Sequence, residues 1–468
     1  MPRRRPFTDS PGFQKKLRMI YNILFAIFFI LASPYYFWRL RRRGEWQQGF
    51  AQRFGKYDAP VKQSLTNRHI LWIHAVSVGE VNLCTQLINA LEPRVPNIKF
   101  VVSCTTTTGM KELQRRLPTR VTRIYYPIDL EKISRRALAT VNPQALVLIE
   151  AEIWPNFLWR ADDLGLPVFL ANARLSPRSF PRYKRFGWIF RPLFRSFVGV
   201  SCQNEDDAQG LIAVGCKPEA VRVVGNMKFD AAAKFSELKN LDARKILLQA
   251  GWVEGAPVIV AGSTHDGEEM LLVEMTRRLR ETFPNLFLVI VPRHFERCKD
   301  IVKKFKARGL KSHNRTDIFR NVQLQPGEID CLLVNTTGEL KFFYELADVA
   351  FIGKSLTAEG GQNPIEPAAL GKAVVFGPHM ENFTDIARAF LTANAAVQVA
   401  DAAGLEQALG ELLADAPRRT VMGSTAKAVV AENLGAVTRT VEMILPFLEQ
   451  RGMHVLPPVD ESARTQSE

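Results

Sequence analysis

HILWIHAVSVGE, residues 69–80, decides how the chain is read. Its first seven residues are nearly continuous in apolar side chains, the pattern of a strand buried on both faces of a parallel sheet. It then gives way to Ser77, Gly79 and Glu80, which stand on a turn and at the opening of a helix. The same run recurs at IKFVVSCTT (98–106), RIYYPI (123–128), ALVLIEAE (145–152), PVFLANAR (167–174), GVSCQ (199–203) and VRVVGN (221–226). The stretches between are mostly long enough for crossover helices, so βαβ units follow.

Residues 230–255 are helix-rich and polar, without a strand. A second series follows: PVIVAGST (257–264), LFLVIVPRH (286–294), CLLVNT (331–336), VAFIGKSL (349–356), AVVFGP (373–378) and AAVQVA (395–400). The expectation is two doubly wound α/β domains, 61–235 and 236–450, with ligands at the carboxyl ends of the strands. Residues 1–60 are read as a membrane anchor with basic flanks, and 451–468 as a disordered tail.

The chain has 468 residues and a formal charge of +15. Residues 1–60 carry +9 of it and the remaining body +6. That body shows no aromatic-basic motif, which argues against a nucleic-acid binder. The six cysteines form no CxxC pair and several sit in apolar runs, which suits buried thiols in a reducing compartment.

MIYNILFAIFFILASPYYFW, Met19–Trp38, contains no charge and is about long enough to cross a ~30 Å hydrocarbon layer as a helix. Lys15, Lys16 and Arg18 precede it; Arg39, Arg41, Arg42 and Arg43 follow. A cleavable signal peptide does not fit, because the apolar run is too long and arginines come next. A single-pass signal-anchor fits; a helix lying in the interface is the other reading, and Pro34 weakens the span. Both basic flanks favour anionic lipid.

Glu80 is either a capping carboxylate, stabilised by the helix dipole, or a general base. Glu150 and Glu152, in IEAEIWPNF, are spaced to share one face of a strand, and carboxylates so near a buried strand need a partner. Arg174 and Arg178 are candidate partners. Lys228, in GNMKFD, is a solvated lysine or an electrophilic clamp. In the second series, Asn363 is placed to cap a helix beginning near Pro364, with glycines before it, as an anion site requires. Glu366 suits a neutral hydroxyl such as a ribose. Thr337, Gly338 and Glu339 form a second short turn, and Arg293 can meet a phosphate or carboxylate. GKS at 353–355 is no Walker A loop, no GxGxxG follows the first strand, and no DxD is present. His74, His265, His294 and His379 lack metal-ligand spacing and read as structural.

HAVSVGE, IEAEIWPNF, ANARLS, GNMKFD, GSTHDGEE, VPRH, TTGEL and GGQNPIEPAALGKAVVFGP occur in this order. With them the sequence closely resembles the 3-deoxy-D-manno-octulosonic acid (Kdo) transferases of lipopolysaccharide assembly, from the anchor to about residue 445. The resemblance implies a GT-B glycosyltransferase, two Rossmann-like domains facing a cleft, held at the cytoplasmic face of the inner membrane. It implies transfer of Kdo from CMP-Kdo to the lipid A precursor lipid IVA, with inversion, without a catalytic metal ion and without a cofactor. By motif, Glu80 is implied as proton acceptor and Glu150 and Lys228 as transition-state stabilisers. CMP contacts are implied at Pro292, Arg293, Thr337, Gly338, Glu339, Asn363, Pro364, Ile365 and Glu366. The segments HAVS and SLTAEG remove none of these residues.

Overall fold

The computed structural model describes residues 11–42, 47–66, 68–150, 152–176, 179–233, 241–319 and 322–457. The chain forms two compact units, Met1–Ala231 with Gly435–Glu468, and Ala232–Leu434.

The first unit is a parallel sheet of β1 (His69–Ala75), β2 (Ile98–Cys104), β3 (Thr122–Tyr125), β4 (Ala145–Ile149), β5 (Val168–Ala173), β6 (Phe197–Cys202) and β7 (Val221–Val223). The strand order is β3-β2-β1-β4-β5-β6-β7, so the direction in which strands are added reverses between β1 and β4, where a doubly wound sheet opens a crevice at its carboxyl edge. Alternate side chains of β1 serve different cores. Leu71, Ile73 and Ala75 pack with the Val78–Leu91 helix on one face, and Ile70 and Trp72 with the Pro155–Asp163 helix on the other. This two-sided burial explains why the strands read as continuous apolar runs.

The second unit repeats the plan with β8 (Val258–Thr264), β9 (Phe287–Pro292), β10 (Ser312–Asn314), β11 (Cys331–Leu333), β12 (Val349–Ile352), β13 (Ala373–Phe376) and β14 (Ala396–Gln398). Their order is β10-β11-β9-β8-β12-β13-β14, all parallel, with the reversal between β8 and β12. β10 has no counterpart in the sequence reading, because Ser312, His313 and Asn314 form no apolar run.

Two expectations are corrected. The last helix, Ala436–Gln450, belongs to the first unit, not the second: Val437, Val441, Ile444, Leu445 and Leu448 are buried in that unit's core, where the helix packs beside the Val78–Leu91 helix and against β6. Asp230 fixes its start by accepting the N–H groups of Gly435 (2.6 Å) and Val437 (2.8 Å). The segment after it begins in order, with Met453 buried and Leu456 N–H bonded to the Arg94 carbonyl at 2.8 Å; residues 458–468 lie outside the described residues. The N-terminal helix runs from Pro11 to Arg42 and includes Pro34. Of the polar linker, 234–240 lie outside the described residues, and Ala243–Gln249 is helical. All six cysteines are buried and free.

Candidate active site

Glu80 sits where β1 hands over to the Val78–Leu91 helix. Ser77 caps that helix: its Oγ accepts the Glu80 N–H at 3.3 Å and donates to Glu80 Oε1 at 2.7 Å. The Val76 N–H donates to Glu80 Oε2 at 2.7 Å. This reciprocal arrangement is a capping box, which locks the carboxylate in one rotamer over the carboxyl edge of the sheet. The side chain is 8% exposed. Burial and the nearby carboxylates of Glu150 and Glu152 outweigh the two hydrogen bonds and push the Glu80 pKa up to about 7. Helix capping and the properties of a base therefore coexist in this one residue.

β4 ends at Ile149, and Glu150 turns into the left-handed region with φ 61°. The alternation of a strand therefore does not extend to Glu150 and Glu152, although the two carboxylates stay close enough for Glu150 to raise the Glu152 pKa alongside burial. A non-glycine residue in this conformation is uncommon, and such strain clusters at functional sites. Lys228 Nζ pairs with Glu150 Oε1 at 3.4 Å, and Glu152 accepts the Trp154 indole N–H at 2.9 Å. The partner of Glu150 is thus Lys228 rather than Arg174, because the β5–β6–β7 order brings the GNMKFD turn to this edge. Arg178 lies outside the described residues.

Asn172 was not singled out in the sequence, yet it organises the Lys228 turn. It is fully buried with φ 53°. Its Oδ1 accepts the Met227 N–H at 2.9 Å and its carbonyl accepts Gln203 Nε2 at 3.0 Å. Gln203 Oε1 accepts Asn226 Nδ2 at 2.7 Å, and Asn226 Oδ1 accepts the Lys228 N–H at 3.0 Å. The only advance signal was a lone Asn in an apolar strand. His74, by contrast, is structural: it stacks on Tyr126 at 3.8 Å, bonds Ser103, and burial drives its pKa down to about 3.

In the second unit the residues implied for the nucleotide gather at the carboxyl ends of β9, β11 and β12. Pro292 closes β9, and Arg293 follows, its side chain exposed and its N–H bonded to the Thr264 carbonyl at 3.1 Å. Thr337, Gly338 (φ 82°) and Glu339 precede the Leu340–Tyr344 helix, and Glu339 pairs with Arg315 at 3.2 Å. Asn363 Oδ1 accepts the Ile365 N–H at 3.1 Å across Pro364, and its Nδ2 donates to Glu366 at 3.3 Å. Both helices are five residues long, so the macrodipole attraction suggested by the glycine-rich turn is small, and side chains and free N–H groups carry any recognition.

Glu268 braces this edge and was also missed, because nothing in GSTHDGEE sets it apart from its acidic neighbours. It is fully buried and accepts four backbone N–H groups: His265 (2.7 Å), Lys354 (2.8 Å), Ser355 (3.1 Å) and Leu356 (3.1 Å). Among the described residues no three His, Cys, Asp or Glu side chains converge in a metal-holding group.

Two doubly wound parallel sheets, with polar residues gathered at their carboxyl edges, define a GT-B-type α/β protein. The UDP-GlcNAc 2-epimerase of Neisseria meningitidis shares the fold, with a TM-score of 0.54 at 15% identity over 81% of this chain and 100% of that one. A family model described as 3-deoxy-D-manno-octulosonic-acid transferase (kdotransferase) matches residues 48–231. The 3-deoxy-D-manno-octulosonic acid transferase of Bordetella pertussis is 34% identical over 428 residues, 88% of this chain and 95% of that one. That of Haemophilus influenzae is 30% identical over 412 residues, 86% and 92%. The chain belongs to the 3-deoxy-D-manno-octulosonic acid transferase family and is a glycosyltransferase.

Proposed function

We propose that this transferase moves Kdo from CMP-Kdo to lipid IVA in lipopolysaccharide biosynthesis, with inversion and without a catalytic metal ion. It works at the cytoplasmic face of the inner membrane, attached through its N-terminal helix. The observation that carries the mechanism is Glu80: a buried, rigidly held carboxylate whose pKa of about 7 matches the operating pH of a general base.

In the ionised form Glu80 accepts the proton of the acceptor hydroxyl as that oxygen attacks the anomeric carbon, opposite the departing CMP. The negative neighbours Glu150 and Glu152 strengthen its basicity. Lys228, held by the Asn172–Gln203–Asn226 chain and paired with Glu150, is a fixed positive charge for the transition state. The CMP moiety is assigned to Pro292 and Arg293, Thr337 to Glu339, and Asn363 to Glu366, with Arg293 for phosphate and Glu366 for the ribose. Basic Arg182, Lys184 and Arg185 of the Ser179–Arg185 helix suit the acceptor phosphates and anionic lipid.

The test is a product assay. Purified protein is incubated with CMP-Kdo and lipid IVA, with and without chelator, and the lipid is weighed by mass spectrometry. Gain of Kdo mass in both reactions is expected. Consumption of a UDP-sugar with CMP-Kdo left intact would remove the reading.

A further inference from the structure

The N-terminal helix is fastened to the first unit at its beginning. Leu17 is buried, Arg18 pairs with Asp163 at 2.8 Å, Tyr21 donates to Asp129 at 2.9 Å, and Asn22 and Asn156 exchange hydrogen bonds at 3.2 and 3.0 Å. Arg18 thus meets the end of the Pro155–Asp163 helix and Asn22 its start, so the two run antiparallel. The N-terminal helix then leaves the body past the carboxyl edge of the sheet, the edge that carries Glu80 and Glu150. Beyond that point Ile23, Leu24, Ile27, Phe28, Ile30 and Leu31 are all exposed.

The chain rejoins the body at the same edge. Gly49 lies against the Tyr125 ring. Gln52 accepts the Tyr125 N–H at 2.9 Å, Arg53 donates to the Thr105 carbonyl at 2.8 Å, and the Arg53 carbonyl accepts the Ile128 N–H at 2.8 Å. Tyr21 and Arg53 therefore hold neighbouring residues, Asp129 and Ile128. From Asn22 to Arg42 the helix is roughly 30 Å long. Seven peptide steps separate Arg42 from Gly49, a reach of at most about 25 Å. Were the helix to cross a bilayer from this edge, that short segment would have to come back through ~30 Å of hydrocarbon carrying the charges of Arg43 and Glu45.

We infer that the N-terminal helix does not cross: apolar on every side between its basic ends, it is sunk within one leaflet, with both ends on the side of the body. The partner is an anionic leaflet, since Lys15 and Lys16 precede the exposed apolar stretch and Arg41 and Arg42 close it. This replaces the single-pass expectation and rests on the membrane attachment proposed above.

Its test uses the full-length protein with one cysteine added, since the native six are buried. Lys15→Cys and, as a marker of the body, Ser424→Cys are exposed to a membrane-impermeant maleimide in sealed inner-membrane vesicles of both orientations, and labelling is read on floated protein. Labelling of both from the same vesicle face is expected. Labelling of Lys15→Cys solely from the face opposite Ser424→Cys would overturn the inference and restore a crossing. Failure of the protein to float would overturn the attachment itself, and the inference with it.

Discussion

Glu80 carries two loads that oppose one another. As a buried acid whose folded pKa of about 7 lies above its ordinary 4.5, it keeps a proton that the unfolded chain has lost. Stability therefore falls as pH rises across that window, while the fraction able to act as a base grows. The transfer rate should show an acid limb near neutrality. Glu152→Gln removes one of the raising charges, so the limb should move to lower pH; an unmoved or raised limb in the pH–rate profile would discard the coupling. Glu80→Gln should fold, bind CMP with unchanged affinity and lose on the order of 10²–10⁴-fold in turnover. Lys228→Ala should lower turnover by roughly 10²-fold while CMP affinity stays near normal, as followed by steady-state rates and calorimetry. Glu80 was legible in advance as a carboxylate in the first turn of a helix at the end of an apolar strand. Its relation to Glu150 and Lys228 was not, since their meeting depends on strand order and on a left-handed Glu150 that no spacing announces.

Among the elements, strands buried on both faces gave themselves away as apolar runs, and thirteen of the fourteen were placed in advance. Helices were harder to assign to a sheet. The apolar stripe of Ala436–Gln450 says that one face is buried, and nothing in it says against which core. Leu448 makes the consequence measurable. It is fully buried in the core that this helix shares with the Val78–Leu91 helix, so Leu448→Ala should cost the first unit about 2–5 kcal/mol. Urea unfolding followed by tryptophan fluorescence reports this, and a loss below about 0.5 kcal/mol would mean that the helix is not part of that core.

For the whole molecule, basic charge and exposed apolar surface are concentrated on the N-terminal helix, which the proposed attachment places in lipid. Arg41 and Arg42 are exposed at the end of the N-terminal helix, with Arg42 stacked over Trp38 at 4.9 Å. At ~1 kcal/mol per basic residue near an anionic surface, replacing both with Gln should weaken binding to phosphatidylserine-containing vesicles by roughly 30-fold. Binding to neutral vesicles should barely change. Co-sedimentation at fixed ionic strength measures both, and an equal loss on the two lipids would assign the effect to the helix fold rather than to charge.

The return of the last helix has a further consequence, for the nascent chain. Ala232–Leu434 is continuous and can fold as soon as it leaves the ribosome, whereas the first unit is interrupted by it. The core beneath Glu80 stays open until residues 436–450 have been synthesised and have docked. The N-terminal helix emerges first, and the core under the sheet that carries Glu80 is completed last. With the proposed membrane attachment, the order of synthesis would bring the chain to lipid before the edge that carries Glu80 is finished.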